Sequence, residues 1–136
     1  MLGELGDVTF HEWVEDYADL LKLAQIGLFL DARAGGMKNR VLQALAAARP
    51  VVATQTALEG LSGKDGESFF RVHSNEEAFE RLCSLAQSPE SRLRMGKRAR
   101  ELVQARYTQS VTGEAWECLY EEARELKSMQ TSASSK

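Results

Sequence analysis

Two adjacent glycines, Gly35 and Gly36, form the stretch of the sequence best suited to binding an anion. They follow a short apolar run, residues 26–30, and precede strong helix formers over residues 37–48. Where a glycine turn joins a strand to a helix, backbone N–H groups can point at a phosphate, and the helix dipole favours its negative charge. The sequence therefore predicts an anion site at this turn, with a plain turn as the alternative.

Two cations, Lys38 and Arg40, lie at the start of the predicted helix. Positive charge at a helix N-terminus works against the helix dipole, which favours a functional reason for their position. We expect these side chains to be phosphate partners. The alternative is that they are solvated surface charges.

The sequence offers few other residues for catalysis or metal binding. Its two histidines, His11 and His73, and its two cysteines, Cys83 and Cys118, are far apart. Their spacing is not that of a zinc or redox site, so we predict no metal site, and free thiols in a reducing compartment. A lone histidine is more often structural or exposed than a catalytic base, and we interpret His11 in this way.

Strands and helices alternate along the chain. The predicted strands are 8–10, 26–30, 50–54 and 68–72, and the predicted helices are 16–24, 37–48, one from 74, one from 88, and 109–127. Such alternation indicates an α/β fold with a parallel sheet. Because ligands of these folds bind at the carboxyl ends of the strands, we expect one rim to hold residues 11–15, 31–38 and 54–61.

Local signals predict where two helices begin and which sides of the helices are buried. Ser74 with Glu77 forms a capping box, and Ser88 before Pro89 is a helix start. Apolar residues at the helical period predict the buried sides. These residues are Ala78, Phe79, Leu82, Leu85 and Ala86 in the helix from 74; Leu93, Gly96, Ala99 and Val103 in the next; and Val111, Trp116, Leu119, Tyr120, Ala123 and Leu126 in the last.

Length and composition are those of one ordinary globular domain. The chain has 136 residues, 43% hydrophobic and 27% charged, and a net charge of −3, so its charge does not favour nucleic acid. No apolar run approaches the ~20 residues of a membrane span, and no signal peptide is predicted. We expect a cytoplasmic protein with a folded domain over 1–127 and a disordered tail over 128–136.

Several segments resemble one protein family. The most specific are VLQALAAARPVVAT at 41–54 and ALEGL at 57–61, and they are supported by GMKNR at 36–40, GKRAR at 96–100 and RY at 106–107. Their order over residues 7–127 is similar to the C-terminal half of retaining group 1 glycosyltransferases of the two-Rossmann-domain (GT-B) type. The resemblance implies a partial Rossmann-like parallel sheet flanked by helices, with a C-terminal helical tail.

The resemblance implies that the rim binds a nucleotide-sugar donor, with no metal or other cofactor. The implied diphosphate contacts are Gly35, Gly36, Met37, Lys38 and Arg40. The family's ribose-binding position corresponds to Gln43, with an ordinary helix surface residue as the alternative. The implied nucleotide-site loop is Glu59, Gly60 and Leu61, with a plain loop as the alternative. No catalytic residue is assigned.

Three positions differ from the family's pattern. Gln43 stands where a Glu usually accepts both ribose hydroxyls, and an amide lacks the charge-assisted part of that interaction. Gly35 stands where many members have a Glu that contacts the donor sugar, and Glu12 stands where a Gly is common. These differences bear on catalysis more than on the fold.

The family's domain has a sheet of order 3-2-1-4-5-6, and this chain would begin just before the third strand. We therefore expect a fragment or a split or degenerate relative, with a partner chain supplying the rest and an exposed apolar edge at 26–30. The first functional hypothesis is the donor-binding half of a glycosyltransferase. The alternatives are a non-catalytic remnant or interaction module, and an unrelated α/β binding domain.

A basic helix face is the last feature of the sequence that suggests a function. It is formed by Arg92, Arg94, Lys97, Arg98 and Arg100. Most such faces are only solvated. The alternative is weak peripheral docking to anionic lipid at the inner face of a membrane.

Overall fold

A computed structural model describes residues 7–33 and 35–133, and within them three strands and five helices are found. The strands are β1 (Gly27–Phe29), β2 (Val51–Thr54) and β3 (Phe70–Val72). The helices are α1 (Tyr17–Leu23), α2 (Asn39–Ala46), α3 (Asn75–Gln87), α4 (Pro89–Arg106) and α5 (Gln109–Ala133). The sheet is parallel, in the order β1-β2-β3. The predicted α/β class is confirmed, and this order is that of the last three strands of the expected sheet.

Strand β2 is the centre of the core because it is buried on both faces. Val51 and Ala53 face a cluster that contains residues of α1, α2 and the second half of α4. Val52 faces the opposite side, in a cluster with residues of α3 and with Met95 of α4. A strand covered on both faces must be apolar at every position, which is why residues 50–54 read as a continuous apolar run.

Three helices begin at residues whose side chains cap them, and for α3 and α4 these are the caps that the sequence predicts. The Asp16 carboxylate accepts a hydrogen bond from the N–H of Ala18 at 2.7 Å at the start of α1. At the starts of α3 and α4, Ser74 Oγ accepts from the N–H of Glu77 at 3.1 Å, and Ser88 Oγ from that of Ser91 at 3.2 Å. These bonds satisfy N–H groups that the helix itself leaves unpaired.

The strand predicted at residues 8–10 is not formed. Val8 and Phe10 are 54% and 72% exposed, and within the described residues no strand lies beside this segment. Without a neighbour to complete the hydrogen-bond ladder, an apolar run has no reason to be extended. Strand β1 is therefore an edge of the described sheet, and Leu28 on it is partly exposed.

The predicted buried sides of α3 and α4 are partly wrong. Phe79 of α3 is exposed, and in α4 Leu93 is 77% exposed whereas Met95 is buried at 5%. Helix α4 packs on two different partners, α2 and α3. The buried side of α4 is therefore not one simple stripe, and helical periodicity alone cannot locate it.

The predicted buried side of α5 is wrong as well. Trp116, Leu119, Tyr120 and Leu126 are all exposed, and none of them contributes to the two core clusters of the described residues. The helix also continues to Ala133, beyond its predicted end at Lys127. Residues 134–136 lie outside the described residues, and the division into a 1–127 domain and a disordered tail stays a prediction. In the described part of the chain, no helix is long and apolar enough to span a membrane.

The end of α2 packs tightly against α4. The N–H of Arg49 donates to the carbonyl of Ala44 and that of Ala48 to the carbonyl of Leu45, both at 3.0 Å. This is the Schellman arrangement, and it places Ala48 at a φ of +57°. The carbonyl of Ala48 lies so close to Gly96 of α4 that a Cβ there would overlap with its oxygen.

Replacing Ala48 by glycine should stabilise the protein. A left-handed conformation costs a residue with a Cβ about 1–2 kcal/mol, and glycine adopts it without that cost. We expect Ala48→Gly to raise the free energy of unfolding in urea by about 1 kcal/mol. The control is Ala47→Gly, at a φ of −76°, which should lower it; a decrease in both variants would contradict backbone strain at Ala48.

Adding a methyl group at Gly96 should have the opposite effect. Gly96→Ala forces the α4 backbone away from Ala48, and we expect a loss of about 2 kcal/mol or more in the free energy of unfolding. Gly113→Ala is the matched control, since it is also helical but a Cβ there meets nothing within 4 Å. Helix propensity alone should make that variant neutral or slightly more stable. Equal effects of the two changes in urea unfolding would disprove the close contact.

Candidate anion-binding site

The carboxyl ends of β1 and β2 bring two loops together at one rim of the sheet. Residues 31–38 follow β1, and residues 55–61 follow β2. Thr54 joins them, since its Oγ1 donates to the carbonyl of Asp31 at 2.8 Å and accepts from the N–H of Ala57 at 3.2 Å. Of residues 11–15, also expected at this rim, all but Glu12 line an open cleft together with residues of α1.

The predicted phosphate-binding turn holds an anion of the chain itself. The N–H groups of Gly35 and Gly36 donate to the same carboxylate oxygen, Oε2 of Glu59, at 3.0 and 2.9 Å. Gly36 has a φ of +78°, a conformation that suits glycine and helps both N–H groups point to one side. The turn therefore has the geometry of a small anion site.

These contacts change the ionisation of Glu59. The hydrogen bond from the N–H of Gly35 contributes most to holding the pKa of the Glu59 carboxyl below its ordinary value of 4.5, followed by that of Gly36. The charge of Lys38 lowers this pKa as well. A lowered pKa means that the folded chain favours the charged form. The contact therefore stabilises the fold above pH 4.5, and this contribution is lost as the pH falls through the folded-state pKa.

The loop that carries Glu59 is anchored on both sides. A Cβ at Gly60, whose φ is +80°, would lie 3.3 Å from Cβ of Met37, so the two loops pack closely there. At the end of α4, the Tyr107 hydroxyl accepts from the N–H of Ser62 at 2.8 Å and donates to the carbonyl of Gly60 at 3.3 Å. Arg106 also donates to Oγ of Ser62 at 3.0 Å, so the Arg106–Tyr107 pair, noted in the sequence only for its resemblance, positions this loop.

A second carboxylate at the rim, Asp31, engages Arg40. The Arg40 guanidinium donates to Oδ1 of Asp31 in an ion pair. The other oxygen, Oδ2, is buried and has no hydrogen-bond partner among the described residues. A buried unpaired acceptor is costly unless a ligand or water completes it. Asp31 was not assigned from the sequence, although an Asp directly after an apolar strand was a usable signal.

The N-terminus of α2 is open, unlike those of α1, α3 and α4. Lys38 is at the cap position, its side chain makes no capping hydrogen bond, and the first turn has no acidic residue. Asp16, Ser74 and Ser88 cap the other three helices. The first N–H groups of α2 and its positive dipole end thus lie beside the Gly35–Gly36 turn with no side-chain cap.

The remaining predicted site residues lie in different settings. Gln43 is exposed on α2, one turn after Arg40, and its role stays a prediction. Leu61 is buried in the core, and its role in a nucleotide-site loop also stays a prediction. Among residues 7–33 and 35–133, no three His, Cys, Asp or Glu side chains are grouped as a metal site would require.

The basic face of α4 is smaller than the sequence suggests. Arg92 donates to the carbonyls of Leu85 and Ala86 at 2.6 and 2.8 Å, so it caps the end of α3. Arg98 is 3.5 Å from the carboxylate of Glu101. Two of the five cations thus have partners within the chain.

Breaking the turn should change the pKa of Glu59. A β-branched residue does not keep a φ near +78°, so Gly36→Val should turn the two N–H groups away and raise the pKa of Glu59 toward 4.5. Lys38→Ala should raise it less, because the two hydrogen bonds contribute more than this charge. A 13C NMR titration of the Glu59 carboxyl measures both variants. No change in Gly36→Val would contradict the contact.

Comparisons with known proteins agree with this architecture. The sequence matches the model of the family described as "Glycosyl transferase-like" over residues 3–117. In fold it is similar to the crystal structure of the C-terminal domain of a group 1 glycosyl transferase, LpcC, from Francisella tularensis, with a TM-score of 0.63 at 18% identity. The match covers 75% of this chain and 53% of that one, so the chain spans about half of it. A search of curated proteins gave no match.

The two comparisons support different conclusions, one about the fold and one about the family. At 18% identity, the structural match concerns the fold alone, three parallel strands flanked by helices with a C-terminal helix. The family model covers most of the sequence, including both loops of the rim. This chain therefore belongs to the glycosyl transferase-like family.

Proposed function

We propose that this chain is the donor-binding half of a nucleotide-sugar glycosyltransferase and that the donor diphosphate binds at the Gly35–Gly36 turn. One observation carries the proposal. The two N–H groups converge on a single anionic oxygen at 2.9 and 3.0 Å. A phosphate oxygen at the same point would receive the same two hydrogen bonds.

The surroundings of the turn suit a diphosphate. The uncapped N-terminus of α2 adds N–H donors and a positive dipole end, and Lys38 is near enough to influence the Glu59 carboxylate. In glycosyl transfer the leaving diphosphate gains negative charge, and preorganised donors of this kind stabilise it. Gln43, which is exposed on α2, is the acceptor that we propose for a hydroxyl group of the donor.

The rest of the enzyme is part of the proposal. We propose that the acceptor-binding side comes from a partner chain or another segment. The open edge of β1 is where we propose that further strands pair. We propose that the protein is cytoplasmic. We also propose that any membrane contact is peripheral and is made by the cations of the basic face of α4 other than Arg92 and Arg98.

Thermal unfolding with nucleoside diphosphates tests donor binding. A ligand that binds only the folded state raises the midpoint, and one present at about ten times its Kd should raise it by roughly 5 °C. UDP, GDP and ADP at millimolar concentration are compared with no ligand. We expect one of them to raise the midpoint, which would also identify the base. A cooperative melt that none of them shifts would contradict the proposal.

A pair of glycine variants locates the site. Gly36→Asp places a carboxylate at the turn and should abolish the shift, because like charges repel. Gly66→Asp is the matched control: Gly66 also has a positive φ, +76°, and open space for a Cβ. It lies just before β3 and away from the carboxyl ends of the strands, so its shift should equal that of the wild type. An unchanged shift in Gly36→Asp would place binding elsewhere, and loss of the shift in both variants would show an effect that is not specific to the turn.

A further inference from the structure

We propose that Glu59 is a displaceable internal ligand, which fills the anion site while the donor is absent and thereby sets the affinity for the donor. This inference rests on the proposed function. Family resemblance assigned Glu59 only to a loop that lines the nucleotide site. The structure shows it in direct contact with the groups that a phosphate would need.

The Glu59 carboxylate and a phosphate cannot both accept the hydrogen bonds of these two N–H groups. Each backbone N–H has one proton to donate, and those of Gly35 and Gly36 both point to Oε2 of Glu59. A phosphate oxygen that takes these bonds must therefore replace the carboxylate. The carboxylate is charged, so it is a stronger competitor than water or a neutral side chain.

Other contacts hold the loop in position when the Glu59 side chain leaves, although the stabilisation from its two hydrogen bonds is lost. Its side chain is partly exposed, and the two N–H groups are its only hydrogen-bond partners among the described residues. The backbone on either side is held, since Leu58 is buried in the core and Gly60 is fixed by Tyr107. Displacement thus needs only a rotation of the side chain, a motion that is fast for exposed residues.

An internal competitor has a predictable effect on binding. The apparent Kd equals the intrinsic Kd divided by the fraction of molecules in which the site is open. The larger the population with Glu59 in the site, the higher the apparent Kd. A weakly bound, singly charged ligand would seldom displace Glu59, whereas a diphosphate brings more charge and further acceptors for the open end of α2. Glu59 would accordingly favour diphosphates over less charged ligands.

Isothermal titration with the diphosphate that shifts the melting midpoint tests the proposal. Glu59→Ala leaves the site open, and we expect it to bind about tenfold more tightly than the wild type. Glu59→Asp keeps the charge but is one methylene shorter, so it does not reach both N–H groups. If the contact matters, Glu59→Asp should bind more tightly than the wild type too. If only net charge matters, it should bind like the wild type, and the proposal fails.

Three further outcomes separate this inference from the proposed function. Equal or weaker binding by Glu59→Ala, with binding by the wild type, would overturn the inference, because Glu59 would then merely hold the loop, and the proposed function would stand. No binding by either protein would overturn both. The control is Glu80→Ala, which removes an exposed carboxylate on α3. Both the inference and the proposed function are supported if Glu59→Ala and Glu59→Asp bind more tightly while the affinity of Glu80→Ala is unchanged.

A measurement on the unaltered protein covers the case in which these variants unfold. When the diphosphate binds, Glu59 should lose its two hydrogen bonds, and its pKa should rise from its lowered value toward 4.5. Carboxyl 13C NMR of the wild type with and without saturating ligand measures this. A pKa of Glu59 that stays lowered in the complex would overturn the proposal.

Discussion

The hydrogen bonds from the Gly35–Gly36 turn to Glu59 join the two loops that make the rim of this sheet. Each loop alone would be a short surface turn with unsatisfied backbone groups. Together they form one structure, because a charged oxygen satisfies two N–H groups that no regular element can pair. The contact defines the shape of the candidate site, and it also defines what a ligand must overcome to enter it.

The packing of the core fixes the position of this rim. Strand β2 is buried on both faces, so its carboxyl end at Thr54 is firmly located, and Thr54 ties it to the end of β1. Helix α4 packs across the core, and Tyr107 at its end binds the second loop. The residues of the rim are thus positioned by elements that are distant in sequence, which is how rigid folds usually orient functional loops.

Two carboxylates of the rim lie close to the cations predicted to bind phosphate. Arg40 pairs with Asp31, and Lys38 lies near Glu59, so the cations expected to bind phosphate already have carboxylates nearby. A ligand anion must compete with these carboxylates for the cations, which weakens its binding. The N-terminus of α2 has no side-chain cap among the described residues.

The sequence by itself determined the α/β class, the three paired strands, and the starts of α1, α3 and α4. Apolar runs, helical periodicity and capping residues act over a few positions, so the chain needs no distant partner to express them. It also located the glycine turn, whose geometry is local. Only the tertiary structure decided that Glu59, more than twenty residues away, fills this turn, and that residues 8–10 and α5 stay exposed. These outcomes depend on which surfaces meet, and hydrophobic pattern does not encode which neighbour a side chain will find.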